Sequence, residues 1–286
     1  MRRPQEIALE EQTMQSLVQL TSIFEGLASM RISQIKSQVQ QSQEFFATLW
    51  HIYTQIRVDA NFRFGRSQST EEVIDKDLII IITAEGSFSG DIDEKLIHFM
   101  LESYNAGRND IIVIGHHGAV QLAQAGITFI KYFKLPEKDQ DINVTPLVKE
   151  VQRYKTTTVY YQTYVSLMVQ DVKRIAISKA VQEKGQNVRE NLDEIISEDT
   201  YIFEPSTYAV VDYLERSMIN IALSQLILES KLAQYASRFR AMSAAHDKAD
   251  DSRAELHTLF NRAKRASKDE RLKEIVNGLR AAEANS

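Results

Sequence analysis

The chain has 286 residues, 26% of them charged and 43% hydrophobic, with a formal net charge of −5 and a pI near 5.8; these totals fit one large or two smaller globular domains and suggest neither disorder nor a fibrous repeat. An acidic total argues against a general nucleic-acid binder, which usually carries a net basic domain. The absence of cysteine excludes disulfides, thiolate catalysis and cysteine-ligated zinc, and no run approaches the ~18 apolar residues of a bilayer-crossing helix.

The N-terminus, Met1-Arg2-Arg3-Pro4 followed by Glu6, Glu10 and Glu11, lacks an apolar signal core, so the chain reads as soluble and unprocessed. Between Pro4 and Gly65 the only helix breaker is Gly26. Leu17, Leu20, Phe24 and Leu27 follow heptad spacing, and after one five-residue step beside Gly26 the pattern resumes as Ile32, Ile35, Val39, Ser42, Phe46, Leu49, Tyr53 and Ile56. The spacing predicts a long amphipathic helix with a phase slip near Gly26.

The middle of the chain has another texture. Asp77 to Thr83 and Ile111 to Gly115 are β-branched runs of the kind found in strands buried on both faces. Each precedes a helical stretch, Asp93 to Ala106 and Ala119 to Ala125, and Thr157 to Val169 and Arg174 to Ala180 read as later strands. This β-α-β-α rhythm predicts a Rossmann-like domain on a parallel sheet with right-handed crossovers.

Three features of the middle region could carry chemistry. Thr83-Ala84-Glu85-Gly86-Ser87-Phe88-Ser89-Gly90 follows a strand and precedes a helix, where phosphate loops occur, yet it meets neither the Walker pattern nor G-x-G-x-x-G and reads better as a turn. His116-His117 are adjacent, point in different directions and have no third ligand at metal spacing. Neither Ser87 nor Ser89 stands in G-x-S-x-G. No catalytic constellation emerges, and no cofactor or metal is expected.

No glycine occurs between Gly185 and Gly278. Val211, Leu214, Met218, Ile221, Gln225, Leu228, Leu232, Tyr235, Phe239, Met242, His246, Ala249, Arg253, Leu256, Phe260 and Ala263 alternate steps of three and four without exception, which is a coiled-coil seam. Such a helix runs on the order of 80 Å at ~1.5 Å per residue, too long for a compact domain, and is expected to project. The two terminal helices can satisfy each other's seams as an antiparallel pair. The fold class is therefore α/β plus a long antiparallel coiled coil, with helices over 1–65 and 206–286 flanking an α/β domain over 70–200.

His246 in the seam reads as a satisfied interior histidine, and Gln225 and Arg253 as register-setting polar residues. The basic run from Arg262 to Lys273 fits a solvated helix end better than a contact with an acidic partner.

Several stretches carry a family resemblance. Ala233-Gln234-Tyr235-Ala236-Ser237-Arg238-Phe239-Arg240-Ala241-Met242 resembles the S-E-x-A-A-R-M-x-A-M stretch of the gamma subunit of rotary ATP synthases. Phe260-Asn261-Arg262-Ala263-Lys264-Arg265 is similar to that family's Y-N-R-A-R-Q, Leu272 to Gly278 to its L-x-E-I-V-x-G, and Tyr201 to Ser206 to its Y-x-F-E-P-S. Leu20 to Arg31 takes the place of I-T-K-A-M-K-M-V-A-A-A-K, and Thr83 to Gly90 that of T-S-D-R-G-L-C-G. Leu27 to Gln34 is more like the alternative, sodium-linked type of synthase.

The departures are Gly86-Ser87 for Arg-Gly, Gln234 for Glu, and Arg265 and Asp269 where the family has Gln and Thr that hydrogen-bond a catalytic-subunit loop. The resemblance implies a non-catalytic central shaft, with ATP and magnesium held by partner subunits. The implied partners are the alpha and beta subunits of the catalytic ring, an epsilon (delta-like) subunit and the membrane c-ring, with no nucleic acid. It places the chain peripherally on the cytoplasmic face of a bacterial plasma membrane or the equivalent organelle side. Arg262, Arg265, Asp269, Gln234 and Arg238 are the expected contacts to the ring; Thr83, Gly90 and Glu204 are those toward the membrane rotor or small subunit. A non-rotary scaffold on the same coiled coil, and a small α/β enzyme with helical arms, are the rival readings.

Overall fold

The structure, a computed structural model, describes residues 3–55, 74–86, 88–135, 142–186, 202 and 204–284. Ile56, Ser87, Tyr201, Phe203 and the expected domain limits at 65, 70 and 200 lie outside them. The chain forms two compact units, Ala28–Arg238, and Met1–Leu27 together with Phe239–Ser286. Helix α1 spans Pro4–Gln55 and helix α6 spans Thr207–Ala284.

The larger unit is built on five strands, β1 (Ile74–Ile82), β2 (Asn109–Ile114), β3 (Lys131–Phe133), β4 (Tyr154–Tyr164) and β5 (Gln170–Ala176), in the order β3-β2-β1-β4-β5. The pairs β1–β2, β1–β4 and β2–β3 are parallel, as the rhythm of the sequence predicts, whereas β5 returns antiparallel to β4. A short connection over 165–169 joins β4 to β5, and so short a link can only reverse the chain, because a parallel return needs a crossover of a dozen or more residues. The run Arg174 to Ala180 is strand only to Ala176. From Ile177 it is helix α5 (Ile177–Gln186), which buries Ile177, Ala180 and Val181 at helical spacing.

β1 and β2 are apolar on every residue of their inner halves because both faces are covered. Ile79, Ile81, Ile111 and Val113 meet Leu96, Ile97 and Met100 of α2 (Ile92–Leu101) and Leu122 of α3 (His116–Gln124). On the other face Leu78, Ile80, Ile82, Ile112 and Ile114 meet α4 (Thr145–Val151), α5 and a long stretch of α6, where Met218, Ile219, Ala222, Leu223, Leu226 and Ile227 are all nearly or fully buried. At about 1.5–3 kcal/mol for each fully buried large apolar side chain, this stretch makes α6 one of the sheet's packing layers.

Within the same unit α6 also packs on α1. Ile32 and Ile35 contact Leu228, Leu232 and Ala236, and Leu49, Ile52 and Tyr53 cover Val211 and Leu214. The polar seam residue Gln225 donates its Nε2–H to Ser42 Oγ at 3.0 Å, and the Tyr53 hydroxyl donates to buried Glu215 at 3.2 Å. Helix α6 opens at Ser206, whose Oγ accepts the Ala209 N–H at 3.2 Å as an N-cap.

In the smaller unit His246 Nδ1 lies 3.2 Å from the Val18 carbonyl and 3.4 Å from Thr21 Oγ1, so the seam histidine is satisfied inside the pair. His257 Nδ1 lies 2.8 Å from Glu11 Oε1. In each unit facing residues of α1 and α6 have numbers that add to 267 or 268, an unchanging antiparallel register.

The predicted phase slip is absent. Leu17, Leu20 and Leu27 are 42–50% exposed, while Ile7, Thr21 and Ala28 are buried at 1–7%. The inward line Ile7, Glu11, Met14, Val18, Thr21, Glu25, Ala28, Ile32, Ile35 keeps steps of three and four throughout, and helix α1 passes Gly26 unbroken.

Candidate functional site

In an open sheet wound in both directions, ligands bind outside the carboxyl ends of the strands where the winding reverses. Here that crevice lies between β1 and β4, and the chain's own groups fill it. Thr83, fully buried at the end of β1, donates its hydroxyl to the Ile114 carbonyl at 3.0 Å and accepts the Gly118 N–H at 2.9 Å. The His117 N–H is taken by the Ala84 carbonyl at 3.0 Å, and the His116 N–H by Glu85 Oε2 at 3.1 Å. The first three N–H groups of α3, which would cradle a phosphate, are thus spent on Glu85, Ala84 and Thr83, and the Gly115 N–H on the Phe133 carbonyl.

Glu85 ties three elements together, because it also accepts the Leu135 N–H at 3.3 Å and the Tyr132 hydroxyl at 3.2 Å. The hydroxyl's own pKa is pushed up, by burial first and then by the Glu85 charge.

Across the crevice lies Asp93, 0% exposed at the start of α2. Its Oδ1 accepts Gln162 Nε2–H at 2.7 Å, its two oxygens share the Ala84 N–H at 3.2 and 3.3 Å, and Oδ2 receives His117 Nδ1–H at 2.8 Å and Ser89 Oγ–H at 3.5 Å. Only donors surround it, as a carboxylate requires. Gln162 then turns its oxygen to α6, accepting from Ser230 Oγ and from Gln234 Nε2 at 3.3 Å. Gln234 also donates to Ser230 Oγ at 3.0 Å. One turn on, Ser237 Oγ donates to the Ser89 carbonyl at 2.7 Å, and Arg238 reaches the Gly86 carbonyl at 3.5 Å while its guanidinium stacks 5.3 Å from the Tyr235 ring.

The residues expected to meet partners separate into two groups. Thr83 at 0% and Gln234 at 5% exposure are buried, and their side chains bond within this unit. Gly90 takes φ +67, and a Cβ there would stand 3.2 Å from Ser237 Oγ, so it lets the loop close on α6. Glu204 is exposed just before Pro205. Arg238 is held between loop and ring as described.

Arg262, Arg265 and Asp269 lie in the smaller unit on exposed turns of α6. With the register found above, Pro4 at the head of α1 faces residue 263 or 264, and from 267 to 280 every residue of α6 is exposed. That stretch presents Lys268, Arg271, Lys273 and Arg280 together with Asp269, Glu270 and Glu274 beside an apolar stripe of Leu272, Ile275, Val276 and Leu279, the stripe residues each 45–61% exposed at i, i+3, i+4, i+7 spacing. Lys264 Nζ sits 5.5 Å above the Phe260 ring.

Sequence reasoning missed Asp93, Gln162 and Ser230, whose network joins residues 69 and 68 positions apart. The available signal was a second polar line on α6, Ser230, Gln234 and Ser237, stepping by four and three beside the apolar seam.

A family model described as ATP synthase matches residues 4–282. Among curated relatives, the ATP synthase gamma chain of Chlorobium phaeobacteroides (strain BS1) is 21% identical over 290 residues, covering 94% of this chain and 95% of the relative. That of Clostridium novyi (strain NT) is 23% identical over 274 residues, covering 92% and 93%. A chain of the Euglena gracilis mitochondrial ATP synthase OSCP/F1/c-ring assembly shares the fold with a TM-score of 0.64 at 12% identity, over 98% of this chain and 95% of that one. A chain of the Tetrahymena thermophila central stalk and c-ring gives 0.57 at 14%, over 79% and 99%.

Proposed function

Because the chain belongs to the ATP synthase family as a gamma chain, the central stalk of the F-type complex, we propose that it works as a non-catalytic shaft whose α6 tip engages the catalytic subunits. ATP is made or hydrolysed on those partners, and this chain transmits torque between them and a membrane rotor. The observation that carries the proposal is the exposed end of α6, where an apolar stripe flanked by charges of both signs stands past the head of α1. A continuous helix of 78 residues contains no proline, the commonest cause of a sharp kink.

The crevice supports the same reading, since its polar groups are consumed in fastening α6 to the sheet. A shaft that presents different faces to otherwise equivalent catalytic sites shifts which conformation each prefers, and that differential contact is the coupling. Arg262 and Arg265 are the proposed contacts to acidic loops of the ring, with Asp269 turned to a donor there; Glu204 is kept as a contact on the rotor or small-subunit side. The proposed partners are alpha and beta subunits, an epsilon (delta-like) subunit and the c-ring, and the proposed location is peripheral, on the cytoplasmic face of a bacterial membrane or its organelle equivalent. Among the described residues no helix is long and apolar enough to cross a bilayer. The match over residues 4–282 does not favour the scaffold alternative.

The test is reconstitution with the catalytic ring and the membrane rotor in sealed vesicles. Co-purification and ATP hydrolysis coupled to ion pumping are expected with the wild-type chain, and loss of coupling when Arg262 and Arg265 are both changed to alanine. Unchanged coupling in the double variant would remove these two arginines from the torque path; failure of the wild-type chain to join the ring would remove the shaft reading.

A further inference from the structure

Four elements meet at Asp93: its own helix α2, the loop after β1, strand β4 through Gln162, and α3 through His117. The chain of contacts runs onward from Gln162 to Ser230 and Gln234, so the position of one buried carboxylate is felt on α6. Of the groups that hold Asp93, only His117 changes charge near neutral pH, and its side chain is 39% exposed, so protons reach it.

We propose that the His117–Asp93 pair is a proton-dependent latch that sets how tightly the α/β body grips helix α6 around Ser230, Gln234 and Ser237. With His117 protonated, the imidazolium fixes Asp93 Oδ2 by a charge-assisted bond; Asp93 orients the Gln162 amide, whose oxygen is then presented to α6. With His117 neutral, the Nδ1–H tautomer still donates to Asp93 Oδ2 at 2.8 Å, but the buried carboxylate loses the opposing charge, the bond is no longer charge-assisted and the grip weakens.

Among the described residues, the charged and titratable groups around the pair come from four elements, and His116 adjoins His117 on α3 itself. Asp93 faces His117 from α2, Glu85 stands on the β1 loop at the head of α3, Tyr132 reaches Glu85 from β3, and Arg238 on α6 lies within the field of Asp93. Asp93 favours the protonated imidazole through its hydrogen bond and its charge, and Arg238 is bound to the Gly86 carbonyl. The hydrogen bond to Asp93 outweighs the cost of burial, and the His117 pKa lies above its ordinary value. A raised value in the folded state means the latch stabilises fully below the unfolded histidine's value, and that stability is lost as pH rises through the folded one.

The experiment is an NMR titration of the full chain, with the His117 resonance assigned by its loss in His117→Gln, alongside hydrogen exchange of peptides covering 230–238 corrected for the intrinsic effect of pH. Between about pH 6 and about pH 9 the wild-type segment is expected to lose protection several-fold. His117→Gln is expected to show the high-pH protection throughout, and Asp93→Asn to return the imidazole midpoint to the ordinary range of about 6.5. A wild-type midpoint at or below that value, or protection of 230–238 that does not change with pH, would overturn the latch. Both outcomes are read on the wild-type chain, the His117 resonance being assigned by through-bond spectra of that chain where His117→Gln fails to fold, and the test is independent of whether the chain assembles with a ring.

Discussion

Thr83 shows how one side chain can decide what a loop is for. Its hydroxyl joins the ends of β1 and β2 to the first turn of α3, and Gly118 comes so close that a Cβ there would lie 2.5 Å from Thr83 Oγ1 and 2.6 Å from Cγ2. Gly118→Ala is therefore expected to destabilise the chain by about 1–3 kcal/mol through overpacking, read as a lower denaturant midpoint at unchanged slope; an unchanged midpoint would show that the α3 turn is free to move away. From the sequence, Thr83 to Gly90 was recognisable as a turn between strand and helix. What the turn holds was not, because Asp93, Gln162 and Ser230 are polar residues whose partners lie far along the chain, and periodicity sees only neighbours. Gln234 and Thr83 illustrate the cost of this: by resemblance both are partner contacts, yet both are buried within the larger unit.

At the scale of elements, legibility followed side-chain size. The α6 seam was readable from Val211 to Ala263 because bulky residues occupy it at nearly every step, and those positions are buried or half-buried. In the first half of α1 the seam is lined by small or polar groups, Thr21 and Ala28, while Leu17, Leu20, Ile23 and Leu27 face outward. A reading that follows the largest apolar residues lands one position off and inserts a slip where there is none. The continuous helix gives Gly26 a testable meaning. Nothing lies within 4 Å of a Cβ at that position, so Gly26→Ala is expected to stabilise α1 by about 0.5–1 kcal/mol, seen as a higher melting temperature. Destabilisation would mean that the helix needs its glycine there. Strand direction was harder to read: β5 carries the alternation of a half-exposed strand, and only the short link over 165–169 shows that it must run backward.

For the whole molecule, family membership and the packing of α6 point the same way. The helix that forms a layer against the sheet in the larger unit continues in the smaller unit to an end that α1 does not cover. The chain contains no cysteine, so a single Glu94→Cys on the exposed side of α2 gives one unique site for a visible probe. The decisive measurement is single-molecule observation of that probe on the chain assembled with a surface-fixed catalytic ring and supplied with ATP. Sustained rotation in one direction, halted when ATP is withdrawn, is the predicted result; a probe that stays motionless on a ring-bound chain while the ring hydrolyses ATP would contradict the account.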